Sequence, residues 1–177
     1  MFLGVGLDAV TRGLLAAHLG AQVGDGLSGK VVPAVNWHVT LRFLGPTTDL
    51  QRDLLLYELG ECIRRGPFDI HFGGLGAFPR PSRATVLWLG IEKGAEDLSD
   101  VAEACEAAAI AAAFPAEGRP FHPHLTLSRI RPPVDVRSLV EETPPFAVKM
   151  SVPAVTLFES HLGRGGARYE VIDEIGL

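Results

Sequence analysis

Residues 37–43 read Trp-His-Val-Thr-Leu-Arg-Phe, and their alternation constrains the fold more than any other feature of the chain. In a strand, successive side chains point to opposite faces. Trp37, Val39, Leu41 and Phe43 are therefore expected on one face, with His38, Thr40 and Arg42 on the other. This is the pattern of a half-buried strand. A later stretch, Phe121 to Arg129 (FHPHLTLSR), repeats its centre: histidine, an apolar residue, threonine, leucine. His38 with Thr40, and His124 with Thr126, would each present an imidazole and a hydroxyl side by side, with Leu41 and Leu127 anchoring the opposite face.

The surrounding sequence supplies elements to carry these two strands. Residues 2–7 read as a first strand, and residues 9–20 as a helix with Val10, Leu14 and Ala17 at helical spacing. A glycine-rich loop is expected over 24–36. A helix over 48–65 is expected to start at Thr48 or Asp49, to face inward with Leu55, Leu59, Cys62 and Ile63, and to stop at Gly66 and Pro67. Strands over 68–72 and 84–91 flank GAFPRPSR, and the alanine-rich stretch 95–114 reads as a helix with Leu98, Val101, Cys105 and Ala109 on one face. After the PHLTLS strand come a short helix near 134–142 and strands over 146–152, 154–162 and 167–175, broken by Pro153 and GRGG. Tight turns between strands favour antiparallel pairing. The expected class is α+β, a mostly antiparallel sheet with about three helices, in one domain spanning 1–177 with no linker dividing it.

Composition narrows the function classes. The formal charge of −5 and a pI near 5.6 argue against a broad basic face that grips long nucleic acid. The charge is uneven, however. Glu92, Glu96, Asp97, Asp100, Glu103 and Glu106 crowd one stretch beside Lys93 alone, while arginines lie near both histidine patterns, so a small anion can still meet a local positive field. No long apolar run suggests a membrane span, and MFLGVGLDAV lacks a basic leader, so the cytoplasm is the expected compartment. Cys62 and Cys105 sit in helical stretches and are expected as buried thiols.

Two imidazoles facing one cleft suit a reaction that takes one proton and gives another. Imidazole titrates near neutrality, so one histidine can act as base while its partner acts as acid. Phosphodiester hydrolysis asks for that pairing, because water loses a proton as it attacks and the leaving oxygen gains one. Threonine hydroxyls can bind the phosphoryl oxygens. This chemistry needs no metal or other cofactor. A metal reading remains open at this stage, with His122, His124 and His38 as ligands, although no carboxylate or cysteine completes the set at a telling spacing. His18 and His71 are expected at the surface, and His161 has no evident partner. Arg80, Arg83, Arg164 and Arg168 belong in or beside loops, where they are solvated or steer an anion. Phe43, Phe78, Phe121 and Trp88 are core candidates, or candidates to stack on a base.

The paired HVTL and HLTL resemble the signature motifs of the two-histidine phosphoesterase superfamily. The flanks NWHVTLRFLG, GAFPRPSRATVLWLGI, RPFHPHLTLSR and GGARYEVI are similar to those of the bacterial and archaeal RNA 2′,3′-cyclic phosphodiesterases, first described as 2′-5′ RNA ligases. The resemblance runs from about Phe2 to Ile172. It implies a bilobal fold with pseudo-twofold symmetry, one histidine strand from each lobe at a central cleft, and helices outside. It implies His38 as proton donor, His124 as proton acceptor, and Thr40 and Thr126 on the phosphate. The substrate implied is RNA ending in a 2′,3′-cyclic phosphate, or a small cyclic nucleotide, opened to a 2′-phosphate, with 2′-5′ linkages joined or cleaved without a nucleotide cofactor. No exposed coiled-coil or repeat signal suggests assembly, so a monomer with no protein partner is expected. Arg129 also matches the family, but simple alternation from His124 turns it to the wrong face unless the strand ends or bulges at Ser128. The competing class is a binding module of the same fold that holds an RNA end or nucleotide without turning it over.

Overall fold

The computed structural model describes residues 1–24, 26–163 and 166–177. Its strands are β1 (Phe2–Gly6), β2 (Lys30–Val31), β3 (His38–Phe43), β4 (Phe68–Phe78), β5 (Ala84–Lys93), β6 (His124–Val134), β7 (Lys149–Val152), β8 (Ala154–Gly163) and β9 (Gly166–Gly176). Its helices are α1 (Ala9–Gln22), α2 (Asp49–Cys62), α3 (Ala95–Ala111) and α4 (Arg137–Glu142). The strands form one sheet in the order β7-β4-β5-β6-β3-β1-β8-β9, with β2 added beside β6. Every pairing described is antiparallel, as the turn chemistry predicts.

The sheet divides into two four-strand halves, β7-β4-β5-β6 and β9-β8-β1-β3, which meet where Val39 of β3 lies opposite Leu125 of β6. Each of these residues follows a motif histidine, so the approximate dyad passes between the two repeated patterns. Val39 and Leu125 are fully buried. They join Leu3, Val5 and Leu89 in a core shared with Leu15 and Leu19 of α1, Leu55 and Leu59 of α2, and Leu98, Val101 and Cys105 of α3. Each such fully buried aliphatic side chain contributes roughly 1.5–3 kcal/mol of transfer free energy. Those helices thus cover the apolar face and leave the imidazole face open. A smaller cluster of Ala77, Ala84, Leu87, Ile130 and Val136 lies beneath Leu139 and Val140 of α4.

Local sequence explains most element boundaries. Thr48 caps α2 in a capping box, its hydroxyl accepting from the Gln51 N–H while the Gln51 side chain accepts from the Thr48 N–H. α3 buries the expected face through Leu98, Val101, Cys105 and Ala109. For α1 the expected face is wrong. Val10 and Leu14 are exposed, and Thr11, Leu15 and Leu19 point inward. Asp8 sets this phase by accepting from the N–H and hydroxyl of Thr11, which turns the Thr11 row toward the sheet. β2 falls within the expected loop, and β4 and β6 run well past their expected ends. Cys105 is buried, and burial pushes its thiol up to about 12; Cys62 is only half-buried. No helix among the described residues is long and apolar enough to cross a membrane.

Candidate active site

The two motif strands cross the centre of the sheet with Val39 and Leu125 as partners. Antiparallel register around that pair sets His38 against Thr126 and Thr40 against His124, all four on the face opposite the core. The outer neighbours repeat the symmetry, since His38 pairs with Gly6 of β1 and His124 with Gly90 of β5. The space a side chain would take at each glycine is filled instead by an aromatic ring, Phe158 at Gly6 and Trp88 at Gly90.

Backbone carbonyls orient both rings in the same way. His38 Nδ1 lies 2.8 Å from the Asn36 carbonyl oxygen, and His124 Nδ1 lies 2.6 Å from the His122 carbonyl oxygen. A carbonyl only accepts, so each Nδ1 carries the proton and each neutral ring offers its Nε2 lone pair to the cleft. Aromatic rings brace the imidazoles. Phe2, Tyr169 and Phe158 surround His38 at centroid distances of 4.7, 5.0 and 5.9 Å. Phe78 and Trp88 stand 5.0 and 6.0 Å from His124. Burial pushes both imidazoles below their ordinary value. For His38 the charges of Arg129 and His124 add to this, and for His124 those of His122 and Arg129, against the opposing effect of the carbonyl bonds.

A bulge settles where Arg129 points. Trp88 pairs with Thr126, but Leu87 pairs with Ser128 and Val86 with Arg129, so Leu127 has no partner on β5. The extra residue resets the alternation. Ser128 turns inward and is fully buried, while Arg129 joins His124 and Thr126 on the cleft face, exposed and without an ion pair or side-chain hydrogen bond among the described residues. The same bulge occurs in β3, where Gly4 pairs with Thr40 and Leu3 with Arg42. This corrects the expected alternation of residues 37–43. Arg42 is 7% exposed, not on the open face, and Phe43 is 50% exposed, not in the core. The Arg42 guanidinium binds the Glu106 carboxylate and the carbonyls of Phe43 and Pro115.

His122 is exposed at the cleft edge, 6.3 Å from His124 between ring centroids. No group of three or more His, Cys, Asp or Glu side chains that could hold a metal ion occurs among the described residues. Arg80, Arg83 and Arg168 are exposed, and Arg164 lies outside the described residues. His18 is exposed as expected, His71 is half-buried, and His161 meets Glu170 at 3.2 Å and Glu159 at 3.6 Å. Sequence reasoning missed Tyr169 and the two carbonyl contacts. The carbonyls had a faint signal, because each lies two residues before its histidine.

Two His-x-Thr strands paired about a dyad, with each Nδ1 held by a backbone carbonyl and both imidazoles on one face of the sheet, define a two-histidine phosphoesterase cleft. Residues 16–164 match the family model described as the 2′-5′ RNA ligase superfamily, and the chain belongs to that superfamily. It is 35% identical over 157 residues to the RNA 2′,3′-cyclic phosphodiesterase of Aeropyrum pernix, covering 85% of this chain and 87% of that protein. With the enzyme of the same name from Aquifex aeolicus it shares 33% identity over 170 residues, 92% of this chain and 89% of the other. The crystal structure of Escherichia coli LigT complexed with 3′-AMP superposes with a TM-score of 0.80 at 28% identity, over 99% of this chain and 96% of that one.

Proposed function

We propose that this chain hydrolyses the 2′,3′-cyclic phosphate at an RNA end to a 2′-phosphate, with His38 and His124 transferring the protons. The observation that carries this reading is the dyad-related pair of imidazoles, each with Nδ1 held by a carbonyl two residues earlier. The names of the relatives from A. pernix and A. aeolicus agree with it.

In the forward reaction His124 Nε2 takes a proton from water as its oxygen bonds to phosphorus. The bond from phosphorus to the 3′ oxygen breaks, and protonated His38 gives that oxygen its hydrogen. A 2′-phosphate and a free 3′-hydroxyl remain. Thr40 and Thr126 donate to the non-bridging oxygens, and Arg129 balances the charge that builds there. Each proton transfer is typically worth ~10² to 10⁴ in rate, and fixed ring orientation adds more. A 5′-hydroxyl in place of water gives a 2′-5′ linkage by the same steps, and reversal exchanges the acid and base. Both imidazoles are neutral in the free protein near pH 7, because burial lowers their proton affinity. The bound phosphodiester's negative charge raises that affinity and supplies the one protonated ring the reaction needs. We take the chain to act as a single two-lobed domain and a monomer in the cytoplasm, a compartment consistent with its two free thiols.

The test is an RNA oligonucleotide ending in a 2′,3′-cyclic phosphate, incubated in EDTA, with the product's phosphate position identified. A 2′-phosphate is expected. A 3′-phosphate would reverse the assigned leaving oxygen, and tight binding without turnover would make the chain a binding module.

A further inference from the structure

The cleft does not end at the histidines. Beside His124 and Thr40 it opens into a cavity of about 630 Å³ whose walls include Phe43, Phe78, Phe121 and His122, together with three carboxylates, Glu103, Glu106 and Glu117. The volume suits a nucleoside. Phe43 faces it because of the bulge in β3, and an aromatic ring left 50% exposed there gains by stacking on a flat partner.

The three carboxylates differ in what they already hold. Glu106 is bound to Arg42 and accepts from the Glu117 N–H at 2.8 Å. Glu117 is bound to Arg119 at 3.0 Å. Glu103 is exposed on α3 at the cavity wall and has neither ion pair nor hydrogen bond among the described residues. Its two oxygens are the acceptors left over in an aromatic-walled cavity that adjoins a motif histidine.

We propose that this cavity receives the base of the nucleotide bearing the cyclic phosphate, and that Glu103 makes it favour guanine. This rests on the cyclic-phosphate reading of the same cleft. Guanine presents two adjacent donors, N1–H and the N2 amino group, which two carboxylate oxygens can accept together in charge-assisted bonds. Adenine and cytosine set an acceptor beside their amino donor, and uracil sets its single donor between two carbonyls. Each of those edges places an oxygen or nitrogen lone pair against the carboxylate. Phe43 stacks on any base, so it supplies affinity without choice.

The experiment compares kcat/KM for 2′,3′-cyclic GMP and 2′,3′-cyclic UMP, alongside equilibrium binding of 2′-GMP and 2′-UMP by calorimetry. In the native protein guanine is favoured about tenfold in both measurements, the scale of one good bidentate base contact. Glu103→Ala brings both ratios close to one. Glu103→Gln, with one acceptor and one donor, also lowers them, and Phe43→Ala weakens both nucleotides by a similar factor. A native ratio near one, or a ratio that survives Glu103→Ala, overturns the proposal. Equal turnover of both substrates sinks the guanine site and leaves the hydrolase standing. Preferential binding of 2′-GMP with no turnover of either substrate does the reverse.

Discussion

The two halves of the sheet use one backbone device and fill it differently. β3 and β6 each run His-x-Thr-Leu, each holds its histidine by a carbonyl two residues earlier, and each bulges at the leucine. After the bulge the halves part. In β6 the inward residue is Ser128 and the cleft-facing one is Arg129; in β3 they are Arg42 and Phe43. The repeated backbone brings the two imidazoles to one seam. The unequal residues after it put a cation on one side of that seam and an aromatic ring on the other, so a symmetric frame gains a polarity that, under the proposed function, a nucleotide can match.

The largest effects test what the halves share. His38→Ala and His124→Ala should each lower kcat on cyclic-phosphate RNA by ~10² to 10⁴, and the double variant should lose far less than the product of the two, since the pair acts as a unit. Rates that multiply would mean that the imidazoles work independently. Next come the residues that differ. Arg129→Ala should reduce kcat by about 10² through lost charge stabilisation, whereas Phe43→Ala should act mainly on KM, by roughly fivefold, as expected for a stacking contact. Equal kcat losses in the two variants would erase the proposed polarity.

The pH profile sharpens the same comparison. Burial lowers both histidines, so in the free protein the form with one protonated ring becomes populated only below the ordinary value of about 6.5. The bell of kcat/KM should therefore peak on the acid side of that value, and the bell of kcat should lie at higher pH because the bound anion favours protonation. Coincident bells would contradict the linkage. Stability separates the inward residues with the smallest effects. Arg42→Met removes a buried guanidinium from Glu106 and two carbonyls and should cost about 3 kcal/mol. Ser128→Ala should cost less than about 1 kcal/mol, because the Ser128 hydroxyl has no described partner to lose. Calorimetric unfolding of both variants gives the comparison.

Much of this was legible in the sequence for definite physical reasons. Period-two alternation and Gly/Pro turns mark an antiparallel sheet, and the repeated histidine pattern marks the seam. His38, Thr40, His124 and Thr126 come together on one face because strand geometry leaves them little choice. The misreadings within the motif strands share a cause. A bulge adds one residue and reverses everything after it, so simple alternation puts Arg42 and Phe43 on each other's faces and places Arg129 only conditionally. Tyr169 was out of reach for another reason. Its contact with His38 depends on β8 pairing with β1 and carrying β9 with it, a pairing between distant segments that no local period encodes.

Nitrogen-15 NMR of the two imidazoles tests most directly whether the backbone device prepares a shared proton. In the free protein at pH 7 both rings should be neutral with the proton on Nδ1, and saturating 2′-AMP should bring one of them into the protonated form at that pH. Protons on Nε2, or two rings whose charge ignores the bound phosphate, would contradict the account.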